Sequence, residues 1–172
     1  MIAHGLGFVG LGMAAFIFLG KSRRQILTLK LISNVVWATH FFLIGAYSGM
    51  LLNIINLFRE SIFYQKDKKA WAAHPFWICL FVGVSLLSSA LTWQGMVSLL
   101  PAVGSAIAAI GYWCKKPMHI RMLNFPGVFL WFIYSIIMRT PSNVISNFVS
   151  LCSIGVGLFR DVKSMKAEKA AV

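Results

Sequence analysis

Residues 31–40 of the chain read LISNVVWATH, and residues 125–134, which lie 94 positions later, read FPGVFLWFIY. The same ungapped offset aligns residues 7–69 with residues 101–163 and gives 13 identical pairs. These pairs are Val9/Val103, Gly10/Gly104, Ala14/Ala108, Ala15/Ala109, Lys21/Lys115, Ile26/Ile120, Leu29/Leu123, Trp37/Trp131, Ser48/Ser142, Asn53/Asn147, Leu57/Leu151, Asp67/Asp161 and Lys69/Lys163. Shared hydrophobicity alone rarely pairs Trp, Asn, Asp and Lys at one offset, so we interpret the chain as an internal repeat.

The composition is typical of a protein embedded in a membrane. Hydrophobic residues make up 59% of the 172 positions and charged residues 12%, whereas about a quarter of a soluble domain is charged. Continuous apolar runs of about 18–20 residues are long enough to cross ~30 Å of hydrocarbon as helices. The sequence predicts an all-α polytopic membrane protein with helices near residues 3–20, 27–46, 48–65, 75–92, 96–114, 120–138 and 141–159.

The basic residues indicate how these helices are oriented. Of the 16 Lys and Arg residues, all but Arg139 fall in or beside the loops at one end of the predicted helices, with Lys30 and Arg59 among them. Cytoplasmic loops carry such an excess, so we expect the N-terminus outside and the C-terminus in the cytoplasm. The same explanation accounts for the formal charge of +12. We expect no nucleic-acid partner, because the basic residues do not interleave with a base-stacking platform.

The odd number of helices in each repeat predicts how the two repeats are arranged in the membrane. A three-helix unit ends on the opposite side of the membrane from its start, so two units joined directly would be inverted. The apolar helix at 76–91 has no repeat partner and would restore the orientation. The sequence therefore predicts seven transmembrane helices as two parallel three-helix bundles joined by an inversion linker helix. The expected divisions are a first bundle at 1–69, the linker at 70–94, a second bundle at 95–163 and a frayed cytoplasmic tail at 164–172.

Polar side chains within the predicted helices define a candidate binding site. Trp37 lies about ten residues into its helix and Asn53 about six into the next, so both fall near mid-membrane at 1.5 Å per residue. Polar groups at that depth are costly and serve either function or helix association. Trp ring faces and Asn amides suit a small uncharged ligand with hydroxyl or amide groups. The alternative, which stays open here, is that Asn53 and its aligned partner Asn147 only bond neighbouring helices.

The remaining polar positions are less symmetric. His40 aligns with Tyr134, and we expect His40 to be a hydrogen-bonded wall residue, with a proton relay as the alternative. We expect Arg59 to snorkel towards the cytoplasm and Glu60 to pair with a basic residue of a loop. Glu60 is the only acid within a predicted helix core, so any transport should proceed without proton or sodium coupling.

These features resemble the SWEET sugar transporters, whose fold is a parallel repeat of this kind, and each half is similar to SemiSWEET and PQ-loop proteins. The resemblance implies that Trp37, Asn53, Trp131 and Asn147 line one central substrate pocket. The chain departs from the PQ-loop pattern, since it has no Pro-Gln dipeptide and Pro101 and Pro126 have no proline partners in the first half. The paired Gly10 and Gly104 are expected to supply flexibility or close packing instead.

Over nearly its whole length the chain is similar to the YgjV family of bacterial inner-membrane proteins. The shared features are GFVG at 7–10, HFFLIG at 40–45, LLPAVG at 99–104 and GLFR at 157–160. This resemblance implies a multi-pass protein of the bacterial inner membrane, with the lipid bilayer as its surroundings.

The leading functional hypothesis is a SWEET-like facilitative transporter of a small uncharged polar solute, working by alternating access. Its predicted binding residues are Trp37, Asn53, Trp131, Asn147, His40 and Tyr134. The competing hypothesis is a non-transporting membrane receptor or accessory protein on the same fold, and an oligomer is possible in either case. We expect no enzyme, no cofactor and no metal, because catalytic motifs are missing and the chain has only four acidic residues.

Overall fold

The computed structural model describes residues 2–43, 47–91, 96–139 and 141–170. These ranges hold seven α-helices and two 3₁₀ turns, Ala70–Ala73 and Met96–Ser98, with no strand among them. The helices are α1 (Ile2–Ile17), α2 (Arg23–Leu43), α3 (Tyr47–Gln65), α4 (Phe76–Leu91), α5 (Leu99–Trp113), α6 (Pro117–Ile137) and α7 (Pro141–Ala170). The prediction of an all-helical chain is confirmed for the described residues.

Several helices extend further than their apolar runs. The second helix begins at Arg23 rather than at residue 27, and α7 continues to Ala170, beyond the end predicted at residue 159. Lys and Arg interrupt an apolar run without ending a helix, because their straight side chains are good helix formers. α6 begins at Pro117, since proline is well suited to the first position of a helix. The predicted helix ends at residues 46 and 92 lie outside the described residues.

Three helical segments in the described ranges are long and apolar enough to cross a membrane, namely Met96–Trp113, Pro117–Ile137 and Asn143–Ala167. Two further apolar segments, Gly5–Ile17 and Phe76–Leu87, are shorter. Charged residues interrupt the apolar character of α2 and α3. The count of seven membrane spans therefore stays a prediction.

Several polar side chains of this protein are buried, and many large apolar side chains are exposed. Arg121, Glu60 and Asn124 are 0% exposed, whereas Phe8 is 75% exposed and Phe159 is 74% exposed. In water, exposed apolar surface is unfavourable by about 25 cal/mol per Å². Lipid tails are as apolar as these side chains and remove that penalty. The outer surface is therefore suited to a lipid environment.

The helices pack as two sets that meet around a central space. We call α1–α3 the N-terminal set and α5–α7 the C-terminal set; within each, neighbours in the chain pack together, and α4 packs against α5. The sets meet mainly where α1 packs on α7, and α3 touches α5 and α2 touches α6 over smaller areas. The 94-residue repeat aligns α1 with α5 and α3 with α7. The contact of α1 with α7 and the contact of α5 with α3 are therefore equivalent under the repeat. The division into two parallel bundles with an inversion linker stays a prediction.

Two aligned glycines let aligned tryptophans lie against neighbouring helices. A Cβ atom built on Gly10 would lie 2.7 Å from Cε2 of Trp37, and one built on Gly104 would lie 3.0 Å from Cδ1 of Trp131. Packed protein interiors leave no room for such close approaches. Of the two roles expected for this pair of glycines, the structure supports close packing.

Candidate binding cavity

A cavity of about 220 Å³ lies between the N-terminal and C-terminal sets. Six pairs of its wall residues are related by the 94-residue offset: Ala14/Ala108, Phe18/Tyr112, Lys30/Asn124, Ser33/Gly127, Trp37/Trp131 and Asn56/Ser150. The remaining described wall residues are Ile17, Arg59, Ser105, Val128, Ser146 and Asn147. Both copies of the repeat thus contribute the same positions to one cavity.

The predicted Trp37 and Trp131 line this cavity. The predicted His40 and Tyr134, about one helical turn later in the chain, pack against them. The His40 ring lies 5.4 Å from the Trp37 ring at 88°, measured between centroids, and the Tyr134 ring lies 5.7 Å from the Trp131 ring at 85°. Edge-to-face pairs of this kind are favourable and restrict the orientation of both rings. His40 and Tyr134 are not among the wall residues, so we assign them to holding Trp37 and Trp131 in place.

The two aligned asparagines lie in different positions. Asn147 is part of the cavity wall and donates from Nδ2 to the Ser135 hydroxyl at 3.1 Å. Asn53 is half-buried and is not among the wall residues. Asn147 therefore bonds α6 and also faces the cavity, and its part in ligand binding stays a prediction. A part for Asn53 in ligand binding stays a prediction.

Hydrogen bonds hold the C-terminal side of the wall. The Ser135 hydroxyl donates to the Trp131 carbonyl at 2.7 Å, and the Trp131 indole Nε1 donates to the Ser105 hydroxyl at 3.2 Å. Together with the bond from Asn147, these contacts link α5, α6 and α7 at one level. Polar networks inside a membrane protein fix how its helices pack.

Two basic residues that were expected near the cytoplasmic loops also line the cavity. Lys30 is part of α2, which starts at Arg23. It therefore lies about 10 Å from the start of α2, measured along the helix axis. The side chain of Arg59 is only 7% exposed, and its guanidinium carbon lies 5.7 Å from the centre of the Tyr112 ring. The sequence missed both residues, because helix ends drawn from apolar runs placed them near the loops.

The expected environment of Arg59 and Glu60 is wrong. Arg59 is buried instead of snorkelling, and its NH2 atom donates to Glu60 Oε1 at 2.8 Å. The second oxygen of Glu60 accepts a bond of 2.9 Å from Asn34 Nδ2. Adjacent residues leave a helix in different directions, but the arginine side chain is long enough to bend back. A fully buried carboxylate requires partners of this kind.

Near the basic loops, cations of the N-terminal set bind the end of α5. Arg23 Nε donates to the Cys114 carbonyl at 2.9 Å, and Lys66 Nζ donates to the Trp113 carbonyl at 2.8 Å. Arg23 also forms an ion pair of 2.9 Å with Asp67. The carbonyls at the end of a helix lack partners and carry partial negative charge, so cations there are favourable.

Cations of the C-terminal set bind the end of α1 in the same way. Arg121 donates from Nε to the Phe18 carbonyl at 2.7 Å and from NH2 to the Gly20 carbonyl, and it pairs with Asp161. Arg160 donates to the Leu19 carbonyl at 2.7 Å. The repeat aligns these three carbonyls with those of Tyr112, Trp113 and Cys114. We call the two groups of contacts the arginine clamp, made by Arg23, Lys66 and Asp67 on one side and Arg121, Arg160 and Asp161 on the other.

Comparison with known proteins identifies the family. The family Imp-YgjV, described as "Bacterial inner membrane protein", matches residues 1–165. The chain belongs to this family. It is also similar to the "Inner membrane protein YgjV" of Escherichia coli (strain K12), with 24% identity over 134 residues that cover 78% of this chain and 70% of that protein. No solved structure matches the chain significantly.

Membership of the YgjV family confirms the predicted family and the inner-membrane location. It also explains the apolar outer surface, which lies in the lipid bilayer. The similarity to SWEET transporters and the orientation of the termini stay predictions. Among the described residues, no group of three or more His, Cys, Asp or Glu side chains could hold a metal ion.

The environment of the clamp shifts the pKa values of Lys66 and Cys114. Burial, reinforced by the positive charge of Arg23, lowers the pKa of the Lys66 ammonium to about 8. Burial also raises the pKa of the Cys114 thiol. The repeat aligns Lys66 with Arg160, so one side of the clamp has an ammonium group where the other has a guanidinium group. The two sides of the clamp therefore differ in how they respond to alkaline pH.

Proposed function

We propose that this YgjV-family protein is a facilitative transporter of a small polar solute, which binds in the cavity between two parallel three-helix bundles. The observation that carries the proposal is the cavity, because six repeat-related pairs of residues form its wall. Transporters built from parallel repeats bind their substrates near the bilayer midplane at the interface of the repeats. In this proposal α4 is the inversion linker, and the two bundles rock against each other to give alternating access.

The arginine clamp supports a gate at the basic end. The carbonyls of α1 receive bonds from α6 and α7, and those of the α5 end receive bonds from the N-terminal set. Separating the two sets at this end breaks bonds on both sides of the clamp. Basic loops lie in the cytoplasm in most inner-membrane proteins. We therefore assign the clamp to the cytoplasmic gate and place the N-terminus outside.

Transport without ion coupling fits the positions of the ionisable groups. Glu60 is 0% exposed and its oxygens accept bonds from Arg59 and Asn34. Neither Glu60 nor His40 is part of the described wall. Proton coupling requires an ionisable group that meets the cavity and changes its charge during the cycle. Lys30 and Arg59 do meet the cavity, and in this proposal they keep their charge throughout the cycle, which leaves a uniporter with no catalytic step.

Counterflow in proteoliposomes tests this function. Vesicles containing the purified protein are loaded with unlabelled glucose, glycerate or glycerol 3-phosphate, and uptake of the same labelled solute is followed. We expect saturable counterflow of at least one solute, unaffected by a pH gradient and reduced in Trp37→Ala and Trp131→Ala. Trp71→Ala is the matched control, because Trp71 lies outside the cavity and is 49% exposed.

The outcome of this experiment separates the two hypotheses. Binding of a solute with no counterflow above protein-free vesicles would contradict transport and favour a non-transporting receptor. Accumulation driven by a pH gradient and lost in His40→Gln would contradict uniport.

A further inference from the structure

The positive charge of the cavity wall defines its ligand further. We infer that the cavity binds a small organic oxyanion, a carboxylate or a phosphate ester, through Lys30 and Arg59. This inference rests on the proposed function in naming the solute, but binding can be measured without transport. It replaces the uncharged solute expected from the sequence, for which neither basic residue was considered.

The charges around the cavity do not cancel. Lys30 and Arg59 are wall residues, and the described wall contains no Asp or Glu. The carboxylate of Glu60 is bonded to the wall residue Arg59, and both its oxygens already accept bonds, from Arg59 and Asn34. These three charged residues sum to +1, and an oxyanion in the cavity would balance them. Buried charges are stable when they are paired in this way.

Arg59 has hydrogen-bonding capacity to spare. Its bond to Glu60 uses NH2, and its buried Nε has no partner among the residues that the structure describes. Buried donors are paired in the large majority of cases. Guanidinium groups bind carboxylates and phosphates particularly well, because their planar N–H donors match the oxygens of these groups. A bound oxyanion would supply the missing acceptor.

The opposite side of the cavity is neutral at the aligned positions. Lys30 aligns with Asn124, and Arg59 aligns with Ser153. Asn124 Oδ1 and Ser153 Oγ are the other buried side-chain atoms without a partner in the described part of the chain. Asn124 is a wall residue and offers an acceptor, not a charge. The charged group of the ligand therefore lies on the N-terminal side, and a hydroxyl or similar donor of the ligand suits the Asn124 side.

Binding of matched neutral and anionic compounds tests this inference. The full-length protein in detergent is titrated calorimetrically with glycerate, its neutral amide, glycerol and glycerol 3-phosphate. We expect glycerate or glycerol 3-phosphate to bind at least about tenfold more tightly than the neutral compounds, since a hydrogen bond to a charged group contributes that much.

Variants in which Lys30 and Arg59 are replaced by the aligned residues of the C-terminal set test where the anion binds. Lys30→Asn should weaken anion binding about tenfold, and Lys68→Gln, at an exposed lysine outside the cavity, should leave it unchanged. Arg59→Ser alone would leave Glu60 without its ion-pair partner. The role of Arg59 is therefore tested with the double variant Arg59→Ser/Glu60→Ile, which introduces the aligned residues Ser153 and Ile154 of the C-terminal set. Each variant is first shown to be monodisperse by gel filtration.

The results distinguish this inference from the proposed function. Three results would each overturn the oxyanion site. These are tighter binding of the neutral amide, no binding of either anion, and anion binding that is unchanged in both cavity variants. Transport of a neutral solute alone would leave the proposed function standing and reject the inference. Anion binding that depends on Lys30, with no counterflow, would support the inference and reject transport.

Discussion

The arginine clamp and the cavity wall use the 94-residue repeat differently. At the clamp, aligned carbonyls at the ends of α1 and α5 accept bonds from cations of the opposite set, and aligned aspartates hold the two buried arginines. In the cavity, the N-terminal set places Lys30 and Arg59 where the C-terminal set has Asn124 and Ser153. The clamp therefore keeps similar chemistry on its two sides, whereas the cavity keeps the same wall positions but differs in charge between its two sides.

This difference has a physical reason. Two similar bundles that separate as rigid bodies form and break equivalent contacts, so a gate between them can be symmetric. A small solute generally has no two-fold axis, and a wall that recognises it gains from different groups on its two sides. The comparison therefore supports a gate at the clamp and a ligand site at the cavity.

The largest expected effect concerns the two buried arginines of the clamp. Arg121 is 0% exposed, and its loss would remove the ion-pair partner of Asp161 and the donor to the Phe18 and Gly20 carbonyls at the end of α1. Arg121→Gln should lower the free energy of unfolding by on the order of 3 kcal/mol, as expected for breaking a buried ion pair. Arg23→Gln should have a smaller effect, because its partner Asp67 is 32% exposed and better solvated.

Thermal unfolding in detergent measures both clamp variants. Arg24→Gln is the control, since Arg24 is exposed and next to Arg23 in the chain. If Arg121→Gln lowered the apparent Tm no more than Arg24→Gln, the clamp would not hold the two sets together.

The aligned glycines should show a moderate and unequal effect. A Cβ at Gly104 would lie 2.8 Å from the carbonyl oxygen of Gly127, whereas one at Gly10 meets the side chain of Trp37, which can shift. Gly104→Ala should therefore destabilise by about 1–3 kcal/mol, and Gly10→Ala by less. Gly12→Ala is the matched control, because a Cβ there meets nothing within 4 Å. Equal Tm values for Gly104→Ala and Gly12→Ala would contradict the packing described above.

The smallest expected effect is a dependence on pH at one side of the clamp. The pKa of Lys66 is about 8 in the folded protein, below the ordinary value of about 10.4 for lysine. Between these two values the unfolded chain binds more protons, so stability rises with pH across that window, and below it Lys66 adds no dependence on pH.

Lys66→Gln removes this group and keeps a hydrogen-bond donor. We expect the apparent Tm of the wild type, relative to this variant, to increase between pH 8 and pH 10. Arg160→Gln, at the aligned position on the other side of the clamp, keeps Lys66 and should therefore show the same increase as the wild type. A wild-type advantage that falls as pH rises through this range would contradict the depressed pKa of Lys66.

Periodicity and the repeat predicted some parts of the site and missed others. Trp37, Trp131 and Asn147 were found because repeated polar and aromatic residues within apolar helices are conspicuous. Lys30 and Arg59 were missed because apolar runs end before helices do. The clamp was missed because its arginines are not aligned: the repeat places Arg23 opposite Pro117, and Arg121 opposite Leu27. Arg121 lies one helical turn after Pro117, the residue that the repeat aligns with Arg23. Only the packed structure shows that the side chains of Arg23 and Arg121 nevertheless reach equivalent carbonyls.

Accessibility of the cavity from each side of the membrane tests alternating access most directly, and it requires no knowledge of the solute. Ser105, a wall residue, is replaced by cysteine in a chain whose Cys79, Cys114 and Cys152 are alanine. Inverted and right-side-out membrane vesicles are then treated with a thiol reagent that cannot cross the membrane. We expect labelling from the periplasmic side with the clamp intact, and additional labelling from the cytoplasmic side in Arg23→Gln. Equal labelling from both sides of the intact protein, or no cytoplasmic labelling after Arg23→Gln, would contradict a clamp that gates the cavity.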